Sequence, residues 1–207
     1  MVCKGATQLS EQKRMLDREL RHELSKSQCH EIMDYLMVQF ADTRDIHYNY
    51  YFDTPEYSLA ERDVTLRLRT IRKENNASYF LTLKVPTIDT DTHLEYTQRL
   101  SEKEMRLLVY NNHLPEGEIK DLNSIHGGNV QNINMIRVNR VKAPYKDIEV
   151  YFDKISHRGK TYYEIGTKIA TDKTKPSREE RIKQFTGLLK EYGIEYKQAR
   201  RRSKKYK

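Results

Sequence analysis

The sequence predicts an antiparallel α+β barrel. Three observations carry that expectation. Strand-like segments follow one another across short turns, with no βαβ rhythm, no repeat and no domain linker. Within them polar and apolar residues alternate, so each strand owns one apolar and one polar face. The chain also has 15 tyrosines against 5 phenylalanines and no tryptophan, a surplus of wet-ended rings that suits a polar-lined barrel.

The 207 residues suit one domain, 1–207, large enough to bury a core. The formal charge of +8 is unevenly placed, because six of the eight residues from Arg200 to Lys207 are Lys or Arg. That basic tail (200–207) reads either as a solvated end or as an arm for nucleic acid or another polyanion. Two cysteines, Cys3 and Cys29, make no disulfide framework and fit a reducing compartment. The N-terminal residues lack an apolar signal core and no run approaches transmembrane length, so a soluble, cytoplasmic protein without a membrane partner is expected.

The elements are expected in this order. Residues 8–16 form a short strand. Ser25 with Gln28 resembles a capping box, and Ile32, Tyr35, Leu36 and Phe40 at helical spacing predict a helix over 26–41. Residues 45–53 are aromatic and extended until Pro55, and 58–63 form a turn or short helix. Strands follow at 64–73, 78–86 and 92–100, separated at Asn75-Asn76 and between Pro86 and Asp91. Ser101 with Glu104 caps a helix at 102–111. Residues 112–129 are loop-like, with room for a short helix between Ile119 and Ile125. Strands resume at 131–143, 146–155 and 160–170, with turns at Ala143-Pro144 and around Gly159. A final helix at 177–192 has Ile182, Phe185, Leu188 and Leu189 on one face and Gly193 at its end.

Period-two spacing puts Thr65, Arg67 and Arg69 on one strand face, Thr82 and Lys84 on another, and Glu149, Tyr151 and Asp153 on a third. In an open sheet such faces are simply solvated. In a closed barrel they line a lumen, where cations neutralise phosphate oxygens and carboxylates hold a divalent metal. Other chemistry is poorly represented: His22 and His30 lack zinc-pair spacing, there is no Gly-rich phosphate loop, and neither cysteine sits in a catalytic motif.

Tyr51-Phe52-Asp53-Thr54-Pro55, Leu66-Arg67-Leu68-Arg69, Leu81-Thr82-Leu83-Lys84, Glu95, Asn139-Arg140, Phe152-Asp153, Tyr163-Glu164-Ile165 and Ser203-Lys204 occur in one order. In that order and spacing the chain, from about residue 9 onward, resembles the CYTH superfamily of triphosphate tunnel metalloenzymes. The resemblance implies a closed eight-stranded barrel with peripheral helices and a triphosphate bound in its tunnel. Lys13, Arg67, Arg69, Lys84, Arg140 and Lys204 would bind phosphates. Glu11, Asp153 and Glu164 would hold Mg²⁺ or Mn²⁺, and Glu95 would orient a base or a phosphate ligand.

Two departures matter. The family's opening Glu-x-Glu-x-Lys strand is read here as Leu9-Ser10-Glu11-Gln12-Lys13, without its first acid. Its late Glu-x-Glu strand becomes Glu164-Ile165-Gly166, without its second. Both losses weaken a site for a hard, oxygen-loving cation. The implied activity is hydrolysis of tripolyphosphate, a nucleoside triphosphate or an RNA 5′-triphosphate. The alternatives are a polyphosphate-, nucleotide- or RNA-binding protein without turnover and, last, an adenylyl cyclase-like enzyme.

Overall fold

Alternation of polar and apolar residues is realised as a single antiparallel sheet. Its segments are β1 (Lys13–Asp17), β2 (Glu19–Leu24), β3 (Asp45–Asp53), β4 (Thr65–Lys73), β5 (Asn76–Pro86), β6 (His93–Leu100), β7 (Gln131–Tyr145), β8 (Ile148–His157) and β9 (Lys160–Lys168). The structure is a computed structural model and describes residues 13–17, 19–42, 45–73, 76–87, 93–123, 129–169, 176–200 and 202.

The strand order is β1-β6-β5-β4-β3-β7-β8-β9-β2. Its two outer members, β1 and β2, are consecutive in the chain and separated only by residue 18. β1 pairs with β6 from Lys13↔Thr97 to Asp17↔His93, and β2 pairs with β9 from Glu19↔Lys168 to Leu24↔Tyr163. One stretch of chain thus joins both edges. The sheet closes as an eight-stranded antiparallel barrel, which leaves no free edge.

Helices cover the outside. α1 (Lys26–Tyr35) and α5 (Arg178–Glu191) place Ile32, Met33, Phe185, Leu188 and Leu189 against Val150, Phe152 and Ile165. α2 (Ser58–Glu61), α3 (Glu102–Asn111) and α4 (Glu118–Asn123) bring Leu59, Leu108 and Ile119 onto Leu66, Leu68, Leu81 and Leu83. Each such side chain contributes about 1.5–3 kcal/mol on full burial. The apolar strand faces therefore point outward to the helices, and the polar faces turn inward. A third cluster, Tyr51, Ile136, Val138 and Ile155, sits on inward positions and makes part of the lumen apolar.

Local chemistry sets the element ends. Ser25, Ser101 and Ser177 each close a complete capping box, with Gln28, Glu104 and Glu180. Gly193 has φ 67°, its N–H reaches Lys190 O, and Ile194 N–H reaches Leu189 O, a Schellman end. The Tyr51–Pro55 segment is a corner: buried Asp53 accepts backbone N–H bonds from Thr54 (2.8 Å), Leu59 (2.9 Å) and Ala60 (3.0 Å), satisfying the start of α2.

Two expectations are corrected and one is extended. Of the first strand expected at 8–16, residues 13–16 lie in β1, and the pairing continues through β2 to Leu24; residues 1–12 are outside the described residues. The helix expected over 26–41 ends at Tyr35, because Met37 turns to φ 52° and Val38 N–H bonds back to Met33 O; a 3₁₀ turn follows at Phe40–Asp42. β7 runs through Ala143-Pro144, and the turn falls at Lys146-Asp147, where Lys146 takes φ 51°. Pro144 is tolerated because it lies beside the hairpin end, opposite Glu149. Among the described residues no helix is long and apolar enough to cross a membrane.

Candidate functional site

Strand register decides which polar residues meet in the lumen. Arg67 and Arg69 of β4 lie opposite Tyr51 and Asn49 of β3, and opposite Thr82 and Phe80 of β5. Arg69 Nε donates to Asn49 Oδ1 at 2.9 Å. Arg67 Nε is buried and has no hydrogen-bond partner among the described residues. Burial, then Arg67 and Arg140, push Arg69 down to about 9. His47 nearby is pushed down to about 3 by burial and then by Arg69 and Arg140, so it is neutral at pH 7. This part of the lumen carries half-buried positive charge that the fold itself leaves without a carboxylate partner among the described residues.

Lys84 is differently placed. It lies opposite Glu95 in register and forms a 2.9 Å ion pair with it, and Thr97 Oγ1 donates to Glu95 at 3.3 Å. Glu95, expected to orient a base or a phosphate ligand, thus holds a phosphate-binding candidate in position.

Asp153 of β8 and Glu164 of β9 lie directly opposite each other, and both are fully buried. Arg140 grips Asp153 through both oxygens at 2.7 Å. Arg202, from the basic tail, bridges the two acids: its NH2 donates to Asp153 Oδ2, and its Nε and NH2 reach Glu164 Oε2 at 3.1 and 2.7 Å. Arg21 of β2 reaches the same Glu164 oxygen at 3.3 Å. Burial would raise the Asp153 carboxyl, but Arg140 and Arg202 outweigh it and hold it well below the usual carboxylate range. Glu164 Oε1 is buried with no partner among the described residues.

Gly166 lies one lumen-facing position along β9 from Glu164, where the family pattern carries a second acid. A Cβ there would meet Tyr151 Cζ and OH at 2.5 Å and Leu20 O at 2.8 Å. The Tyr151 ring thus fills the space that a side chain at 166 would need, and Arg140 stacks on it with its Cζ 3.7 Å from the ring centroid. The loss of an acid and the presence of Tyr151 are one packing solution. Gly166→Ala is expected to destabilise the protein by about 1–3 kcal/mol through overpacking. Combining it with Tyr151→Ala should cost less than the two single changes added together, as read by urea unfolding. Strict additivity would show that the two positions do not compete for space.

The remaining candidates lie apart from this picture. Glu11 and Lys204 are outside the described residues. Lys13 has its backbone in β1 opposite Thr97, and its side chain is outside the described residues. Sequence reasoning did not single out Glu19, Arg21 or Arg202, and it set Tyr151 on the polar face beside Asp153 without giving it a role. Burial would raise Glu19, yet Arg140, Lys84, Arg21 and Lys168 together lower it to about 2, which places it in the lumen's cationic field. A signal for two of these was present: Asp17-Arg18-Glu19-Leu20-Arg21 has acid-x-acid-x-base spacing just before the Ser25 cap. Nothing local distinguishes Arg202 from its basic neighbours.

A divalent ion needs several oxygen ligands close together. Among the described residues, no three of His, Cys, Asp and Glu gather closely enough to hold one. Asp153 and Glu164 are the best-placed donors, but guanidinium groups engage three of their four oxygens. Mg²⁺ and Mn²⁺ favour oxygen-rich sites with several ligands. In this arrangement the described residues do not fit either ion.

Fold and site together define a closed antiparallel barrel with a cationic lumen and a buried acid pair. The profile of the CYTH domain family matches residues 16–198, and the chain belongs to that family. Among curated proteins, none matches the chain. A solved Bacillus halodurans protein, proposed to be an adenylate cyclase, is 24% identical with a TM-score of 0.78 over 93% of this chain and 98% of that one. A Hippeastrum protein, proposed to be an adenylyl cyclase and described as having a dominant triphosphatase activity, is 22% identical with a TM-score of 0.68 over 90% of this chain and 93% of that one. A Pyrococcus horikoshii OT3 protein is 21% identical with a TM-score of 0.56 over 89% and 94%. At these identities the likeness is one of fold.

Proposed function

We propose that the chain binds a linear triphosphate in its lumen, as inorganic tripolyphosphate, as part of a nucleoside triphosphate or at an RNA 5′ end. The observation that carries this reading is the Arg67–Arg69 pair. Two half-buried guanidiniums, neither paired with a carboxylate among the described residues, repel each other and gain from a polyanion between them. Lys84 and Arg140 extend the contact along neighbouring strands, and Lys204 would add to it from the tail. On the first strand Glu19 and Arg21 take the places expected of Glu11 and Lys13. The family profile starts at residue 16, which leaves Glu11 and Lys13 outside it. The rest of the basic tail would add non-specific attraction to an RNA substrate.

Turnover is the second reading, favoured by the triphosphatase activity named for the Hippeastrum relative. It would need Mg²⁺ or Mn²⁺ on Asp153, Glu164 and a first-strand acid. Arginines hold the acid pair, which supports binding over cleavage. A two-metal cyclase reaction is supported still less.

Calorimetric titration with tripolyphosphate and ATP, beside phosphate-release assays in Mg²⁺ and in Mn²⁺, separates the two. The expected result is saturable binding without release above background. Release that depends on either metal and is lost in Glu164→Gln would replace this reading with the hydrolytic one. No binding of either ligand would remove both.

A further inference from the structure

We propose that Arg202 stands in for the divalent ion at the acid pair, so that the chain supplies this site with its own tethered cation. The proposal rests on reading the lumen as a phosphate-chain site and goes beyond it by saying which cation completes that site.

Anchoring comes first. After α5 the chain runs back along β2: Ala199 N–H bonds to Arg21 O at 2.8 Å, and Lys197 N–H reaches His22 Nδ1 at 3.0 Å. Ile194 and Ala199 are buried on the way. Arg202 therefore leaves from a fixed point three residues earlier, and its side chain is itself only 9% exposed. It is a seated group of the tail.

Its bonding comes second. The planar fork of an arginine can serve two carboxylates at once. Arg202 does so across two strands, meeting Asp153 of β8 and Glu164 of β9. That bridging of two acids on adjacent strands is the task of a metal ion in an oxygen-ligand site.

Charge comes third. With Arg202 in place, three guanidiniums face two carboxylates. Without it, Arg140 still holds Asp153 but Glu164 keeps only the 3.3 Å contact with Arg21, and its second oxygen has no partner among the described residues. A buried carboxylate so placed attracts a cation strongly. The departures in the acid set point the same way: Tyr151 fills the space at Gly166, where a further acidic ligand would stand.

The test uses the full-length chain and Mn²⁺, whose free ion is counted by electron paramagnetic resonance. Wild-type protein without ligand is expected to bind no Mn²⁺ tighter than ~1 mM, the weak end of protein divalent-ion sites. Arg202→Met keeps bulk and loses the charge; it is expected to bind Mn²⁺ at least ~10-fold more tightly, since one cation is removed next to two acids. Arg202→Lys keeps the charge and is expected to resemble wild type. Circular dichroism checks that both variants fold.

Should Arg202→Met fail to fold, wild type decides alone. Wild-type binding of tripolyphosphate in excess EDTA supports the proposal, and binding only when Mn²⁺ is present overturns it. A wild-type Mn²⁺ site tighter than ~100 µM, lost in Asp153→Asn, also overturns it, as does a folded Arg202→Met with unchanged Mn²⁺ affinity. Failure of tripolyphosphate to bind with or without Mn²⁺ would instead remove the phosphate-chain reading, while the Mn²⁺ titration still judges Arg202.

Discussion

Alanine at both Arg67 and Arg69 is expected to lower tripolyphosphate affinity by at least ~100-fold, since each charged hydrogen bond contributes about 1.5–3 kcal/mol. The barrel should fold regardless. Both side chains point into the lumen, whereas Leu66 and Leu68 between them carry the packing against α2, α3 and α4. Burial and the neighbouring guanidiniums already oppose the charge on Arg69, so removing both cations relieves repulsion in the empty lumen. The double variant is therefore expected to melt no lower than wild type while losing the ligand. Calorimetry and thermal melting check the two halves. Undiminished affinity would mean that the phosphate chain, if bound, lies elsewhere. This change removes function while sparing stability.

Asp153→Ala is expected to do the reverse and to destabilise the fold by about 3–5 kcal/mol, the usual cost of removing one partner from a buried ion pair. Whole domains are stable by only about 5–15 kcal/mol, so the loss is a large share. It would leave the buried guanidiniums of Arg140 and Arg202 facing each other without their shared acid. Urea unfolding at pH 7 reads the effect.

The pH dependence follows from the same groups. Asp153 and Glu19 both have carboxyls held below their ordinary range: burial opposes this, but Arg140 with Arg202 overcomes it for the first, and Arg140 with Lys84 for the second. A depressed folded pKa contributes stability that is complete above the unfolded value of about 4 and is lost as pH falls. For Glu19 the loss runs down to about 2; for Asp153 it extends further into acid. Wild type should therefore lose stability steadily below about pH 4, and Asp153→Asn should show a shallower acid slope. Equal slopes in the two proteins would show that Asp153 does not contribute.

Much of the fold was legible in the chain because its signals are local. Ser25 and Ser101 announce helix starts through contacts three residues away, and Gly193 announces a helix end because glycine takes up positive φ without the steric cost other residues meet. Alternation in Thr65–Arg69 and Phe80–Lys84 needs no partner to be read. The errors were local too. Met37 and Lys146 adopt positive φ, which neither residue type signals, so a helix and a hairpin end elsewhere than expected. The acid-x-acid-x-base motif was read at Leu9–Lys13, although Asp17, Glu19 and Arg21 stand at the same spacing.

The candidate site divides along the same line. Arg67, Arg69, Lys84, Glu95, Arg140, Asp153 and Glu164 were named from the chain, and register sets them on inward positions of the barrel. What each one faces was not legible. Asp153 meets Arg202 across 49 residues and Glu164 meets it across 38; no pattern of near neighbours encodes those contacts.

By itself, then, the sequence determined the strands, the caps and the presence of one cationic and one acidic set on alternating faces. A two-residue period is the same whichever face is inside, so it could not choose between a solvated face and a lumen. Tertiary structure decided that choice by joining the sheet's two edges through one stretch of chain, β1 and β2, and by placing helices on the apolar side. It also decided that a tail arginine neutralises the buried acids and that a tyrosine fills the space at Gly166. Charge neutralisation and space filling in an interior are settled by whatever the fold brings within a few ångströms.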